Sequence, residues 1–298
     1  MSGALLTALS ALLFGTKGVL IKLAYPYGVD ATTLLGLRMA MALPFFAVIA
    51  WRGGLFPAAP VAPLVWRDRL FVCGGGLIGY QLASWCDFLG LQTVDVATER
   101  MLLYLYPTVV VLLGAVLGRQ RLTRVVLAAL ALTYAGIALT YHGQQSARGV
   151  DLHGALLIVG SAVAYAVFLV GAAEQSKRLG GVRTMAVAMC SAAVGVVLQC
   201  LLTRPLSVWI QPWQVYALAA TLAIPGTVLP GLLSGVGLQR IGAARAAVVG
   251  MVGPVATVLL AWAVLGEVPG DLAWLGIVFT LAGGVLISLP PRRQVSAV

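Results

Sequence analysis

Charge is what this sequence has least of. Only 9% of its 298 residues are Asp, Glu, Lys or Arg, and 61% are hydrophobic. A water-soluble domain carries roughly 25% charged residues to solvate its surface, so a soluble globule is excluded. Histidine is also scarce, with His142 and His153 the two copies. No His-Glu-x-x-His metal motif, phosphate-cradling Gly-rich Lys loop or nucleophile elbow occurs, which leaves no catalytic set, no implied cofactor or metal, and no motor for nucleotide hydrolysis. The 4 cysteines, Cys73, Cys86, Cys190 and Cys200, sit singly inside apolar segments without a Cys-x-x-Cys pair and read as small hydrophobes. The first residues, Met1-Ser2-Gly3-Ala4, lack the basic region of a cleaved signal peptide, so the first apolar stretch is expected to stay in the membrane.

What the sequence has instead is a succession of apolar runs of about 18 to 23 residues, the length a helix needs to cross ~30 Å of hydrocarbon. Runs bounded by charge, Pro and Gly predict helices near 4–24, 31–51, 69–89, 97–117, 122–141, 153–174, 184–203, 213–234, 243–264 and 272–289. The fold class expected is therefore an all-α integral membrane protein of about ten transmembrane helices. Trp51, Trp66, Trp209 and Trp213 fall at predicted ends, where indole rings prefer the interface. The net charge of +10 is scattered over helix ends and not gathered on one face, which argues against nucleic acid as a partner. With an even number of spans both termini share a side. The loops on that side hold most of the basic residues (Arg52, Arg67, Arg69, Arg119, Arg121, Arg124 and Arg293 among them), while the opposite loops hold Lys22, Arg148 and Arg204. Positive residues stay cytoplasmic, so both termini are expected in the cytoplasm, with the protein in the cell (inner) membrane.

The chain repeats itself at half length. Gly3-Ala4-Leu5-Leu6 with Ser10-Ala11 recurs as Gly154-Ala155-Leu156-Leu157 with Ser161-Ala162. Gly90-Leu91-Gln92 recurs as Gly237-Leu238-Gln239, and Pro107 aligns with Pro254 in that register. Leu117-Gly118 then matches Leu265-Gly266 and Gly136 matches Gly284, one residue later in register. Two five-helix repeats are expected, residues 1–142 and 153–290. Five is odd, so the second must be inverted relative to the first, the arrangement of secondary transporters that hold substrate near the midplane between halves.

On these residues the chain resembles the drug/metabolite transporter superfamily, specifically its ten-helix EamA-type permeases, which include amino-acid and metabolite exporters. The resemblance covers nearly the whole chain. Phe14-Gly15-Thr16 with Lys22 stands at a family opening that usually reads Trp-Gly-Ser/Thr, Arg38 at a common arginine of the second helix, and Gly266-Glu267 at the familiar end of the ninth. The stretch from Glu99 and Arg100 to Tyr106-Pro107-Thr108 looks like a subfamily pattern. Phe14 departs from the usual tryptophan, and Gly118-Arg119 replaces the Gly-Glu expected in the first half. The resemblance implies a small-molecule, amino-acid-like substrate.

Charge inside a span costs roughly 2.5–3.5 kcal/mol at mid-membrane, so intramembrane polar groups are the candidate substrate-binding residues. Thr7, Ser10, Phe14 and Lys17 share a face at 3–4 spacing, and the sixth-helix counterpart carries Ser161, Tyr165 and Phe168. Arg38 in the second helix suits a carboxylate gripped through two parallel hydrogen bonds. In the third helix Tyr80, Ser84, Asp87 and Phe88 form one stripe, Gln81 and Trp85 the next. Glu99 and Arg100, about 100° apart around the fourth helix, cannot both face the pathway; Glu99 shares a face with Leu103 and Tyr106, Arg100 with Tyr104 and Pro107. Phe14, Tyr165, Tyr80, Trp85 and Tyr104 are expected to give an aromatic lining. Function is thus expected to be secondary transport of small polar metabolites, with export of hydrophobic or cationic drugs as one alternative and a membrane-embedded enzyme as a more distant one. Oligomeric state is open.

Overall fold

A backbone that crosses hydrocarbon must satisfy its own N–H and C=O groups, and a helix does so within one segment. In the computed structural model, which describes residues 2–53, 65–94, 99, 102–103, 105–118, 123–142, 151–250, 252–265 and 271–288, the regular elements are helical and the described residues contain no strand. The first half holds α1 (Gly3–Gly15), α2 (Lys17–Ala24), α3 (Ala31–Arg52), α4 (Trp66–Gly74), α5 (Leu82–Thr93), α6 (Tyr106–Val116) and α7 (Arg124–His142). The second holds α8 (Leu152–Leu179), α9 (Gly181–Thr203), α10 (Trp213–Ala223), α11 (Leu229–Gly250), α12 (Gly253–Leu265) and α13 (Asp271–Ser288). Because α1 runs into α2, and α4 into α5, these elements make about ten membrane crossings. Gly3–Tyr27, Ala31–Arg52, Leu152–Leu179, Gly181–Thr203 and Trp213–Gly250 are long and apolar enough to span by length and composition.

Two of the crossings carry the same irregularity. A π turn over Gly75–Gln81 joins α4 to α5, and another over Ile224–Val228 joins α10 to α11. A π turn holds one more residue than the α-turn it replaces. In the register that pairs Gly90 with Gly237, residues 77–81 fall on 224–228, and Tyr80 falls on Thr227. Inside α11 the chain breaks at Gly242, whose φ of 76° lies in the left-handed region; glycine reaches that region without a Cβ clash, so the eighth and ninth expected crossings join through a single residue.

Packing follows the repeat. α1 lies against α11, and α5 against α8; α3 packs on α9, and α7 on α13. The matched serines make matched bonds across these contacts: the Ser10 hydroxyl donates to the Pro230 carbonyl at 2.7 Å, and the Ser161 hydroxyl donates to the Ala83 carbonyl at 2.7 Å. Ala83 and Pro230 are themselves partners in the Gly90–Gly237 register. Matched glycines serve as contact points as well, since a Cβ on Gly3 would meet Arg240 and Ile241, and one on Gly154 would meet their counterparts Thr93 and Val94.

Helix starts outside the apolar spans are fixed by acidic caps. Asp30 accepts from the Thr32 and Thr33 amides at 3.0 and 3.3 Å, and Asp151 accepts from Gly154 at 2.9 Å. Burial pushes the Asp30 carboxyl up, but hydrogen bonds from Thr33 and Thr32 and the charge of Arg204 outweigh it and hold the group below the usual carboxylate range. The Thr93 hydroxyl and the Gly154 amide likewise depress Asp151, so both caps are ionised at neutral pH.

α9 and α11 approach each other closely through glycine. A Cβ on Gly181 would collide with the Gly235 carbonyl, the small-residue contact that lets membrane helices touch. Gly181→Ala should therefore destabilise the protein by about 1–3 kcal/mol. Gly160→Ala, where an added Cβ meets nothing within 4 Å, should stay within about 0.5 kcal/mol of the parent. Thermal unfolding of the two purified variants in detergent separates them, and equal melting points would contradict the packing account.

Candidate functional site: a cavity around Arg38

A cavity of about 100 Å³ lies between the halves, walled by α1, α3, α5, α8 and α11 together with the first π turn and the starts of α2 and α6. Its polar wall is Thr7, Ser10, Lys17, Arg38, Tyr80, Ser84, Asp87 and Ser234; Phe14, Leu103, Tyr106, Tyr165, Leu169 and Leu238 supply much of the rest. The first-helix face Thr7, Ser10, Phe14 and Lys17 reaches the wall entire.

Arg38 is the centre of this site. It is 1% exposed, in the interior of α3, so its charge must be compensated locally. Nε donates to the Thr227 hydroxyl at 2.7 Å and Nη2 donates to the Tyr80 hydroxyl at 2.9 Å. The guanidinium carbon lies 5.3 Å from the centre of the Phe88 ring, close enough for a cation–π contribution. Tyr80 and Thr227 occupy the same place in the two π turns, so one arginine ties both halves together. Thr227 is held in turn by donating to the Leu222 carbonyl, five residues back, at 2.7 Å. The third nitrogen, Nη1, is buried and has no hydrogen-bond partner among the described residues. With Nε and Nη2 engaged, Nη1 is the nitrogen open to a ligand.

The other cation is neutralised. Lys17 Nζ lies 2.5 Å from Asp87 Oδ2, with side-chain exposures of 13% and 1%. α1 gives way to α2 at Thr16, whose backbone stays in the right-handed helical region and whose hydroxyl donates to Leu13 O, while Gly15 O accepts from Thr257 on α12 at 2.9 Å. Lys17 thus stands at the start of α2, across from α5. On the apolar side, Tyr165 stands edge-on to Tyr106 at 5.2 Å and to Tyr80 at 6.5 Å. The Tyr106 hydroxyl donates to the Ala247 carbonyl at 3.2 Å, which fixes that ring against α11.

Of the residues singled out from sequence, Ser10, Phe14, Lys17, Arg38, Tyr80, Ser84 and Tyr165 meet at the cavity. Ser161 lies behind it on the Ala83 carbonyl. The Trp85 indole donates to Thr32 at 3.4 Å, and Phe168 lines a separate hollow on the far side of Tyr80. Glu99 is fully buried and off the wall; Arg100 and Tyr104 lie outside the described residues. Asp87 joins them from the third-helix stripe, while Thr227, Ser234 and Tyr106 join the site without having been singled out as substrate-binding. For Thr227 a signal existed, since the repeat register pairs it with Tyr80.

Comparison with known proteins gives the family. The model for the EamA-like transporter family matches twice, over residues 1–142 and 152–289. The chain belongs to the EamA-like transporter family. Each match covers one half, so this EamA-like transporter has the two-repeat architecture of its family. It is 29% identical over 293 residues to the uncharacterized transporter YcbK of Bacillus subtilis (strain 168), across 95% of this chain and 92% of that protein. A protein of known crystal structure superposes with a TM-score of 0.76 at 20% identity, covering 99% of each chain, a likeness of fold.

Proposed function

We propose that this EamA-like transporter is a secondary transporter that works by alternating access and exports small polar metabolites bearing a carboxylate, amino acids or their relatives, across the cell membrane. The observation that carries this reading is the open Nη1 of Arg38, a buried cationic donor held at the cavity wall with no group of the described protein to receive its hydrogens. A carboxylate oxygen is the natural acceptor, since hydrogen bonds involving a charged group contribute about 1.5–3 kcal/mol. The aromatic wall formed by Phe14, Tyr106 and Tyr165 suits the apolar remainder of such a molecule. A cationic drug would find Asp87, the acidic group on the wall, already engaged by Lys17.

Inversion of residues 153–290 relative to 1–142, with both termini cytoplasmic, is part of the proposal. It is supported by the five crossings expected in each half and by the way contacts and serine bonds exchange between halves. In the absence of a nucleotide-hydrolysis motif, uphill movement depends on an ion gradient or on exchange. Purified protein in liposomes should take up at least one labelled amino acid saturably, above protein-free vesicles, in a screen run with and without a pH gradient. Uptake of an organic cation with none of any amino acid would replace this reading by drug export.

A further inference from the structure

The hollow on the far side of Tyr80 is larger than the central cavity, about 400 Å³, and lies among α4, the first π turn, α6, α8 and α9. Its rim is strongly apolar and outward-facing: Phe71 is 68% exposed, Ile78 71% and Val167 54%. These side chains belong to bilayer-crossing segments, so hydrocarbon is what meets them. Two polar side chains break this surface, Gln175 on α8 and Thr184 on α9. Thr184 is 1% exposed and its hydroxyl has no hydrogen-bond partner among the described residues. A buried hydroxyl left unmatched is costly, which points to an occupant with an acceptor at that depth.

The charge at this end of the groove narrows the occupant further. The start of α4 and the end of α8 are joined by an ion pair between Asp68 and Arg178, and Lys177 pairs with Glu174 at 3.1 Å. Those pairs cancel. Arg69 and Arg67, both exposed, have no carboxylate partner among the described residues, and the Arg67 guanidinium lies 5.7 Å over the exposed Trp66 ring. Indole and arginine together mark the membrane interface, and the surplus positive charge there favours an anionic headgroup.

We propose that this groove binds one anionic phospholipid, with an acyl chain along the apolar wall, an ester carbonyl accepting from Thr184 or from the Gln175 amide, and the phosphate beside Arg69. Gly171 supplies the means to test it: it lines the groove, and an added Cβ there meets nothing within 4 Å, so Gly171→Leu occupies the groove without displacing a helix. The purified full chain in detergent is titrated with phosphatidylglycerol or phosphatidylcholine, and thermal unfolding and native mass spectra are recorded. Phosphatidylglycerol should raise the melting temperature by about 5 °C more than phosphatidylcholine and remain as one retained lipid. Gly171→Leu should lower its occupancy about tenfold, and Arg69→Gln should erase the preference between headgroups. Equal stabilisation by the two lipids, or undiminished phosphatidylglycerol on Gly171→Leu, would overturn the site. Transport is not read in this experiment, so its outcome stands apart from the proposed substrate.

Discussion

Arg38→Ala is expected to lower uptake at sub-saturating substrate by about 100-fold at equal membrane abundance. The substitution removes the open donor, worth about 1.5–3 kcal/mol toward a carboxylate, and each 1.36 kcal/mol is tenfold. It also releases Tyr80 and Thr227, so the cavity wall loses its order. Arg38→Lys should not restore transport, because one ammonium cannot hold Tyr80 and Thr227 in the guanidinium plane and still offer a third donor group. Thr227 gives the finer test. Thr227→Val keeps the shape but removes the oxygen that accepts from Nε, and KM should rise about tenfold with little change in maximal rate. Thr227→Ser should behave like the parent. Wild-type uptake by Arg38→Ala would end the carboxylate reading.

The second large effect is expected at Lys17 and Asp87. Asp87→Asn leaves a nearly buried ammonium facing an amide, and breaking a buried pair from one side costs about 3–5 kcal/mol. Replacing both partners with apolar residues removes the uncompensated charge, so Lys17→Met with Asp87→Leu should regain most of the lost stability. Transport should not return with it, because the cavity then lacks the charge pair that a zwitterionic substrate can exchange with. Melting temperature in detergent and uptake in liposomes are the two readouts. Should Asp87→Asn melt with the parent, or the double variant transport at the parental rate, the pair is neither a structural nor a transport element.

The helices were legible because the bilayer leaves few alternatives: long apolar runs with charge at their ends can only be helices of about that length. The repeat was legible from short matches such as Gly90-Leu91-Gln92 with Gly237-Leu238-Gln239. The stripe Tyr80, Ser84 and Asp87 follows from helical spacing and does line the cavity. Trp85, about 100° further round the helix, turns to Thr32 instead. What could not be read was pairing across space. Lys17 and Asp87 stood out separately as polar groups in apolar surroundings, but their pairing at 2.5 Å depends on the packing of α2 against α5. The first π turn has no signature of its own, because Gly75-Gly76-Leu77 is compatible in composition with ordinary membrane helix; Pro225-Gly226 marks the second as a break in the helix without saying that the break is a π turn. Thr227 was missed for that reason, as its role depends on the local geometry that presents its hydroxyl to Arg38.

The two π turns also bear on descent. Each holds one residue more than the α-helical path it replaces, the structural trace of a single-residue insertion. The two turns, Gly75–Gln81 and Ile224–Val228, overlap in the repeat register. Two separate insertions would have had to strike the same turn of the same helix in each copy, whereas one insertion in a five-helix ancestor accounts for both. The simpler account places the extra residue before the joining of the halves. In the same register Arg38 falls on Met185 of α9, so the arginine that grips both turns is a feature of the first half alone.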